Sequence, residues 1–395
     1  MCTNIGGPLG TLARSARCIR FGHALLVVVA LSGTASELAA FAVGPMDVWS
    51  MLADADEVWR GAVLDVAFPT TLDQGPEDAR VSDAYDAFRI RVVSTIKGSA
   101  SPGETTVVMP TRLRVQRVRP GQHFLFFVKR TDQGAVAASR NYLGMLVPAT
   151  APSAASTASP EDALVAELLH ALTSTDREIV LEAIRQVGNS GRADLAASIE
   201  SMLAHDDARV VGTVHEAILA LGDLSQLADC VGFLEQRLTD AEAVLGQIAA
   251  ASSLSSLATR QAGEMAAAYD DQTGNRLLVA LAEALPIADP YVRRFLAMTV
   301  RKLAEEQDVL VLMELLEEHD PETQYQLIQG LYHAVRGWEN AAVEGYAPTV
   351  TVFMERPEHY VGLWQTWWEQ GGPIEPRRDQ YGDPVSDVKP RKLRE

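Results

Sequence analysis

Apolar and polar positions alternate along the first third of this chain and recur at three and four residue steps along most of the rest. In VWRGAVLDVAF, Val58, Ala62, Leu64, Val66 and Phe68 fall on one side of an extended chain, the two-residue period of a strand. Similar runs follow at 88–93, 105–109, 123–129 and 141–147, separated by KGSASPGE and RPGQ, whose glycine and proline suit turns. In HFLFF, Phe124 and Phe126 alternate with Leu125 and Phe127, so both faces of that strand are expected to be covered. Five short strands predict a small antiparallel barrel or sandwich over residues 43–148.

Residues 149–162, ATAPSAASTASPED, lack an apolar period and read as a flexible linker. Beyond them Ile179, Val180, Ala183, Ile184 and Val187 have helical spacing. A step of 31 residues carries Ile179, Val180 and Val187 onto Val210, Val211 and Ile218, and Gly191 onto Gly222. Asp176, Asp207 and Asp240 open successive units. Asp289-Pro290 and Asp320-Pro321, also 31 apart, each pair an N-cap carboxylate with a proline at the first helical position. The 49 residues from Asp240 to Asp289 hold a repeat plus about one extra helix. Two short helices per unit cannot bury their apolar faces alone, which predicts a stacked α-solenoid over 163–345.

The order VWRGAVLDV, RIRVVSTIKGSASPGE, RPGQHFLFFV resembles the small OB-type barrel of many exported bacterial proteins, similar to the netrin and tissue-inhibitor barrel, over residues 46–148. In the inhibitor branch the mature chain begins with a metal-binding cysteine, which this sequence lacks. The D-x-x-V helix start followed by Ala, Leu and a Gly turn resembles short bacterial HEAT-like repeats over 162–337, with Thr323 where that pattern has Val or Ile. The expected fold is multidomain, β then all-α: a small antiparallel OB-like β-barrel followed by a HEAT-like α-solenoid. Some HEAT-like repeat proteins resemble chromophore lyase subunits, so the resemblance also implies an enzyme-associated role as one reading.

Near the end, LWQTWWEQGG places Tyr360, Leu363, Trp364, Trp367 and Trp368 at helical steps, with Gly371-Gly372-Pro373 as a stop. The last unit of a stack has no following neighbour, so Trp364, Trp367 and Trp368 are expected to form a structural cap within 346–373, ahead of a polar tail at 374–395. A stacking platform for a ligand is the rival reading.

The amino terminus carries Arg14, Arg17 and Arg20, then ALLVVVAL, then small residues, the order of an export signal over 1–42. Cleavage is expected after Ala42 or, alternatively, after Ala35; retention as an anchor is the other reading, although the apolar run is far short of a bilayer span. Export implies a periplasmic or extracellular location, with Cys230 the one cysteine beyond the signal and no membrane span after its removal. The 34 basic and 52 acidic residues give a formal net charge of -18. That excess of acid argues against nonspecific nucleic-acid binding, which relies on Lys and Arg displacing counterions.

Arg112, Arg114, Arg117 and Arg119, with Lys129 and Arg130, make the second half of the barrel locally basic. They are candidates for binding an anionic polymer or glycan, against the plainer reading of a solvated strand face with edge-protecting charges. His205-Asp206-Asp207 and His319-Asp320 fall where one unit ends and the next begins, which favours helix capping over metal binding. His215-Glu216 begins an HExxH pattern, but Leu219 occupies the second histidine position. Without a GxSxG, P-loop or CxxC motif, no catalytic residue, metal site or cofactor is expected. The reading is a noncatalytic extracytoplasmic scaffold that holds an unidentified protein or peptide on the solenoid surface; the alternatives are glycan binding by the barrel and the enzyme-associated subunit.

Overall fold

The computed structural model describes residues 48–71, 84–99, 101–110, 119–131, 134–137, 146–148, 159–316, 320–335 and 347–370. A short helix, α1 (Val48–Asp54), precedes six strands: β1 (Glu57–Thr71), β2 (Ala84–Lys97), β3 (Gly103–Pro110), β4 (His123–Thr131), β5 (Gly134–Ala137) and β6 (Leu146–Pro148). Five of them close into a barrel in the order β1-β2-β3-β5-β4, with β4 returning to β1, while β6 adds alongside β4. The fifth barrel strand is thus β5, which the apolar pattern missed, and residues 141–145 of the expected strand lie outside the described residues.

The barrel is also not wholly antiparallel. Five strands in a ring cannot alternate direction throughout, because an odd number leaves one neighbouring pair pointing the same way. That pair is β3–β5, joined at Val107–Ala135 and Val108–Val136.

Trp59 lies opposite Phe126 and Gly61 opposite Phe124, so these share one face; Val58 opposite Phe127 and Arg60 opposite Leu125 share the other. The first face lines the barrel interior, where Phe126 and Ile90 close in on Gly61. The second faces the helices. The sequence period had put Val58, Ala62, Leu64 and Val66 toward the core. Val58 is fully buried as expected, on the face toward the helices, but Trp59 and Val63 fill the interior, Ala62, Leu64 and Val66 are half-buried, and the side chain of Phe68 lies outside the described residues. A strand covered on both faces carries no clean alternation to read. Phe124, Leu125, Phe126 and Phe127 of β4 are all buried for the same reason.

Helices follow from Ser159, whose hydroxyl accepts the Asp162 N–H at the start of α2 (Pro160–Ala171). Aspartates then cap a first helix in each unit: Asp176 on α3 (Arg177–Gly188), Asp207 on α5 (Ala208–Ala220), Asp240 on α7 (Ala241–Thr273), Asp289 on α9 (Pro290–Leu303) and Asp320 on α11 (Pro321–Val335). Each accepts a backbone N–H of the first turn. The second helices are α4 (Ala196–Glu200, extended by short turns on both sides), α6 (Leu227–Leu234), α8 (Leu277–Ala284) and α10 (Val309–Leu316). Two helices, α12 (Val350–Glu355) and α13 (Pro357–Glu369), end the described chain.

Successive first helices pack on one another in order, α3 on α5, α5 on α7, α7 on α9 and α9 on α11. The tightest crossing is at Gly212 of α5 and Gly246 of α7, where a side chain on either glycine would land on the other helix's backbone. The long interval after Asp240 is taken up by α7 continuing for 33 residues through a kink at Gln261 (φ -149°, ψ 49°). Past the kink Gln272 accepts the Ala228 N–H and donates to the Leu224 carbonyl, supplying the cap that α6 lacks.

Barrel and helices share a core. One continuous apolar cluster runs from the barrel through Val48, Met51 and Leu52 of α1 to Leu164, Leu168, Val180, Leu181 and Ile184, ending in α5. A second cluster serves the remaining helices. Across the joint, the Val48 N–H donates to Gln186 Oε1 and the Trp49 indole N–H to the Gln186 carbonyl, both at 3.0 Å. Lys97 Nζ ties the end of α1 to β2 through the Leu52 and Ala55 carbonyls. Deeper in, Arg60 of β1 pairs with Glu167 of α2. Of the expected linker, residues 149–158 lie outside the described residues.

Candidate functional site

Three of the four candidate arginines, Arg112, Arg114 and Arg117, lie outside the described residues. Arg119 is exposed in the turn before β4, where its backbone N–H donates to Gln122 Oε1. The cations of β4 already have partners. Lys129 Nζ is 2.7 Å from Asp54 Oδ1, and Arg130 reaches Glu57 at 2.9 Å while its guanidinium lies 5.1 Å from the Trp59 ring centre. The Arg130 N–H also donates to Asp56. The acids of α1 and the start of β1 therefore balance this part of the barrel surface.

His205 Nδ1 accepts the Asp207 N–H at 2.9 Å, and Asp207 caps α5, so this His-Asp-Asp run organises a helix start. His319 lies outside the described residues. His215 is 3% exposed, 5.5 Å from the Phe233 ring, with no hydrogen-bond partner at Nδ1 among the described residues. Burial drives its pKa down to about 4, partly opposed by Asp229. The next residue, Glu216, is pushed the other way by burial, against the pull of Arg185. Cys230 is fully buried, its thiol pushed up to about 12 by burial and then by Asp229, which makes it a poor nucleophile. Among the described residues no three His, Cys, Asp or Glu side chains come together to hold a metal ion, and no helix is long and apolar enough to cross a membrane.

At the other end Trp364 is fully buried beneath α11, in a cluster with Phe353 and Tyr360. Trp367 stands edge-on to it at 5.3 Å and is half-buried against the same core, whereas Trp368, 6.2 Å further along, is 36% exposed. Exposure rises along the three successive rings, from buried Trp364 through half-buried Trp367 to exposed Trp368.

The largest asymmetry is one of charge. Residues 43–148 hold 12 basic and 12 acidic side chains, whereas residues 160–370 hold 13 and 34. Among the described helices most bases sit with the first helices, while Arg192, Arg237 and Arg276 flank second helices, Arg192 pairing with Asp194 and Arg276 with Asp308. Arg177 pairs with Asp207 and Glu242, Arg209 with Glu178 and Glu242, Arg293 with Asp320 and Arg294 with Glu322, so that ion pairs run from unit to unit along this side. The second helices hold no Lys or Arg over 193–204, 227–234, 277–284 or 309–316. Asp229, Glu283 and Glu314 on these helices, and Glu235 just after α6, are exposed and make no ion pair among the described residues. Two of them crowd together: burial and then the Glu283 carboxylate raise the pKa of Glu235. Tyr269, buried beyond the α7 kink, is raised by burial and by Glu235, Asp270 and Glu283. No reading of residue spacing singled out this face, although the absence of bases from every second helix is visible in the sequence once the units are aligned.

Comparison with known protein families, with curated proteins and with solved structures finds no match.

Proposed function

We propose that this chain is a noncatalytic extracytoplasmic scaffold, an OB-type barrel fixed to a HEAT-like stack, which binds a protein or peptide partner along its second helices. The closed strand order with one parallel pair supports the OB-type assignment. Aspartate-capped first helices packed in sequence support the HEAT-like one. The observation that carries the binding assignment is the set of exposed acids Asp229, Glu235, Glu283 and Glu314, in no ion pair among the described residues, at second helices whose own residues include no Lys or Arg, beside first helices joined by ion pairs. A basic partner would meet an unbalanced field there, which speeds encounter and selects sign. Export rests on residues 1–42, and amino-terminal mapping of the mature chain is expected to place its start between about residue 36 and residue 43.

Because barrel and helices share a core, the test uses the full chain instead of fragments. A photoactivatable side chain replaces Glu283 in one version and Arg119 in another, each expressed in the source envelope. Adducts at position 283 and none at position 119 are expected. Adducts at position 119 alone would move the binding function to the barrel.

A further inference from the structure

A segment of the same chain complements the acidic face. Residues 389–394, KPRKLR, carry Lys389, Arg391, Lys392 and Arg394 and no acid, in a chain otherwise rich in carboxylates. They lie outside the described residues, which end at Gln370. Between the two are 18 residues, and a chain extends by up to ~3.3–3.6 Å per residue, so the reach is about 60 Å. The last described helix, α13, packs on α10, which bears Glu314; α8 with Glu283 packs on α10, and α6, just before Glu235, packs on α8. Packed helix axes lie about 8–10 Å apart, so all three glutamates are within reach of the segment.

We propose that residues 389–394 dock in cis across Glu314, Glu283 and Glu235, so that the chain supplies a built-in occupant that a basic partner must displace. The inference rests on the reading of this face as the binding surface. Exposed ion pairs are individually weak and screened by salt. Tethering changes the outcome, because a linker of this kind gives an effective concentration on the order of mM. A contact too weak to persist between separate molecules is then populated within one. A cation between Glu235 and Glu283 would also relieve the repulsion that the bare face carries.

Zero-length carbodiimide coupling tests this in the full chain, because it joins a lysine amine to a carboxylate only when the two are in contact. The chain has five lysines, Lys97, Lys129, Lys302, Lys389 and Lys392, so the products can be assigned by mass spectrometry. Cross-links from Lys389 or Lys392 to Glu314, Glu283 or Glu235 are expected in low salt, falling several-fold at roughly 0.5 M salt. They should also fall in an Arg391→Glu/Arg394→Glu chain, which keeps both lysines. Cross-links that join isotopically labelled to unlabelled chains would assign the face to a second copy and overturn the cis docking. So would the absence of any such cross-link while both lysines react with an amine reagent. If that happens while partner adducts at position 283 persist, the scaffold reading stands and the built-in occupant falls.

Discussion

Arg60 and Glu167, 107 residues apart in sequence, form an ion pair sealed inside the joint between the barrel and the first helix. The guanidinium is fully buried and the carboxylate nearly so, and burial pulls the arginine's pKa down. Removing one partner strands a charge in the core. Arg60→Met or Glu167→Leu alone is expected to cost about 3–5 kcal/mol, whereas the double change, which removes both charges, should recover much of that loss. Denaturant unfolding of the two single variants and the double variant measures this coupling.

The Gly212–Gly246 crossing predicts a contrast between two glycine substitutions. Gly212→Ala forces α5 and α7 apart and should cost about 1–3 kcal/mol or more, the range for overpacking. Gly232→Ala, on α6 where a methyl group meets nothing within 4 Å, should gain about 0.5–1 kcal/mol from helix propensity alone. Opposite shifts in thermal unfolding are the expected outcome.

His215 predicts an acid sensitivity with a defined sign. Its folded pKa is about 4 against 6.5 in the open chain, so between these values the unfolded state binds more protons and stability falls as pH falls. The contribution is complete above about pH 6.5 and lost on descending to about pH 4, on the order of 3 kcal/mol. Glu216, raised by burial, acts in the opposite sense, favouring the fold at low pH and losing that contribution as pH rises through its folded value. Comparing His215→Phe with the parent chain isolates the histidine. The variant should show a flatter loss of stability between pH 6.5 and 4.5.

The tryptophan series predicts a gradient. Trp364→Ala removes a fully buried ring and should cost about 3–5 kcal/mol. Trp368→Ala, at the exposed end, should stay within about 0.5 kcal/mol of the parent chain. If Trp368→Ala instead abolishes partner binding while stability is unchanged, the exposed ring belongs to a contact surface.

The five capping aspartates were legible because an N-cap is local: a carboxylate, a first turn and a fixed interval to the next unit. The extra length after Asp240 was legible too, but not its form, since nothing in the spacing distinguishes a separate helix from one that continues through a kink at Gln261. Helix α1 carries Val48, Met51 and Leu52 at helical steps, with Ala55 just beyond its end, a signal outweighed by the stronger strand run that starts at Val58. Strand β5, at four residues, is too short to show a period, and its parallel pairing follows from closure of the ring, not from its own residues. The joint was invisible because Arg60 and Glu167 each look ordinary in their own element, and only the folded chain brings them together. The acidic face was hidden for a different reason: it is a property of every second helix taken together, so it emerges only after the units have been aligned.

The core shared by the barrel and the first helices makes this part of the molecule a gauge instead of two beads on a string. The Val48 and Trp49 hydrogen bonds to Gln186 reinforce that joint. If one partner met both parts, its two sites would be engaged together only when their spacing matched. Selectivity of that kind would come from distance, and a substitution deep in the joint, such as Gln186→Ala beneath α1, could change which partners are accepted without touching either surface.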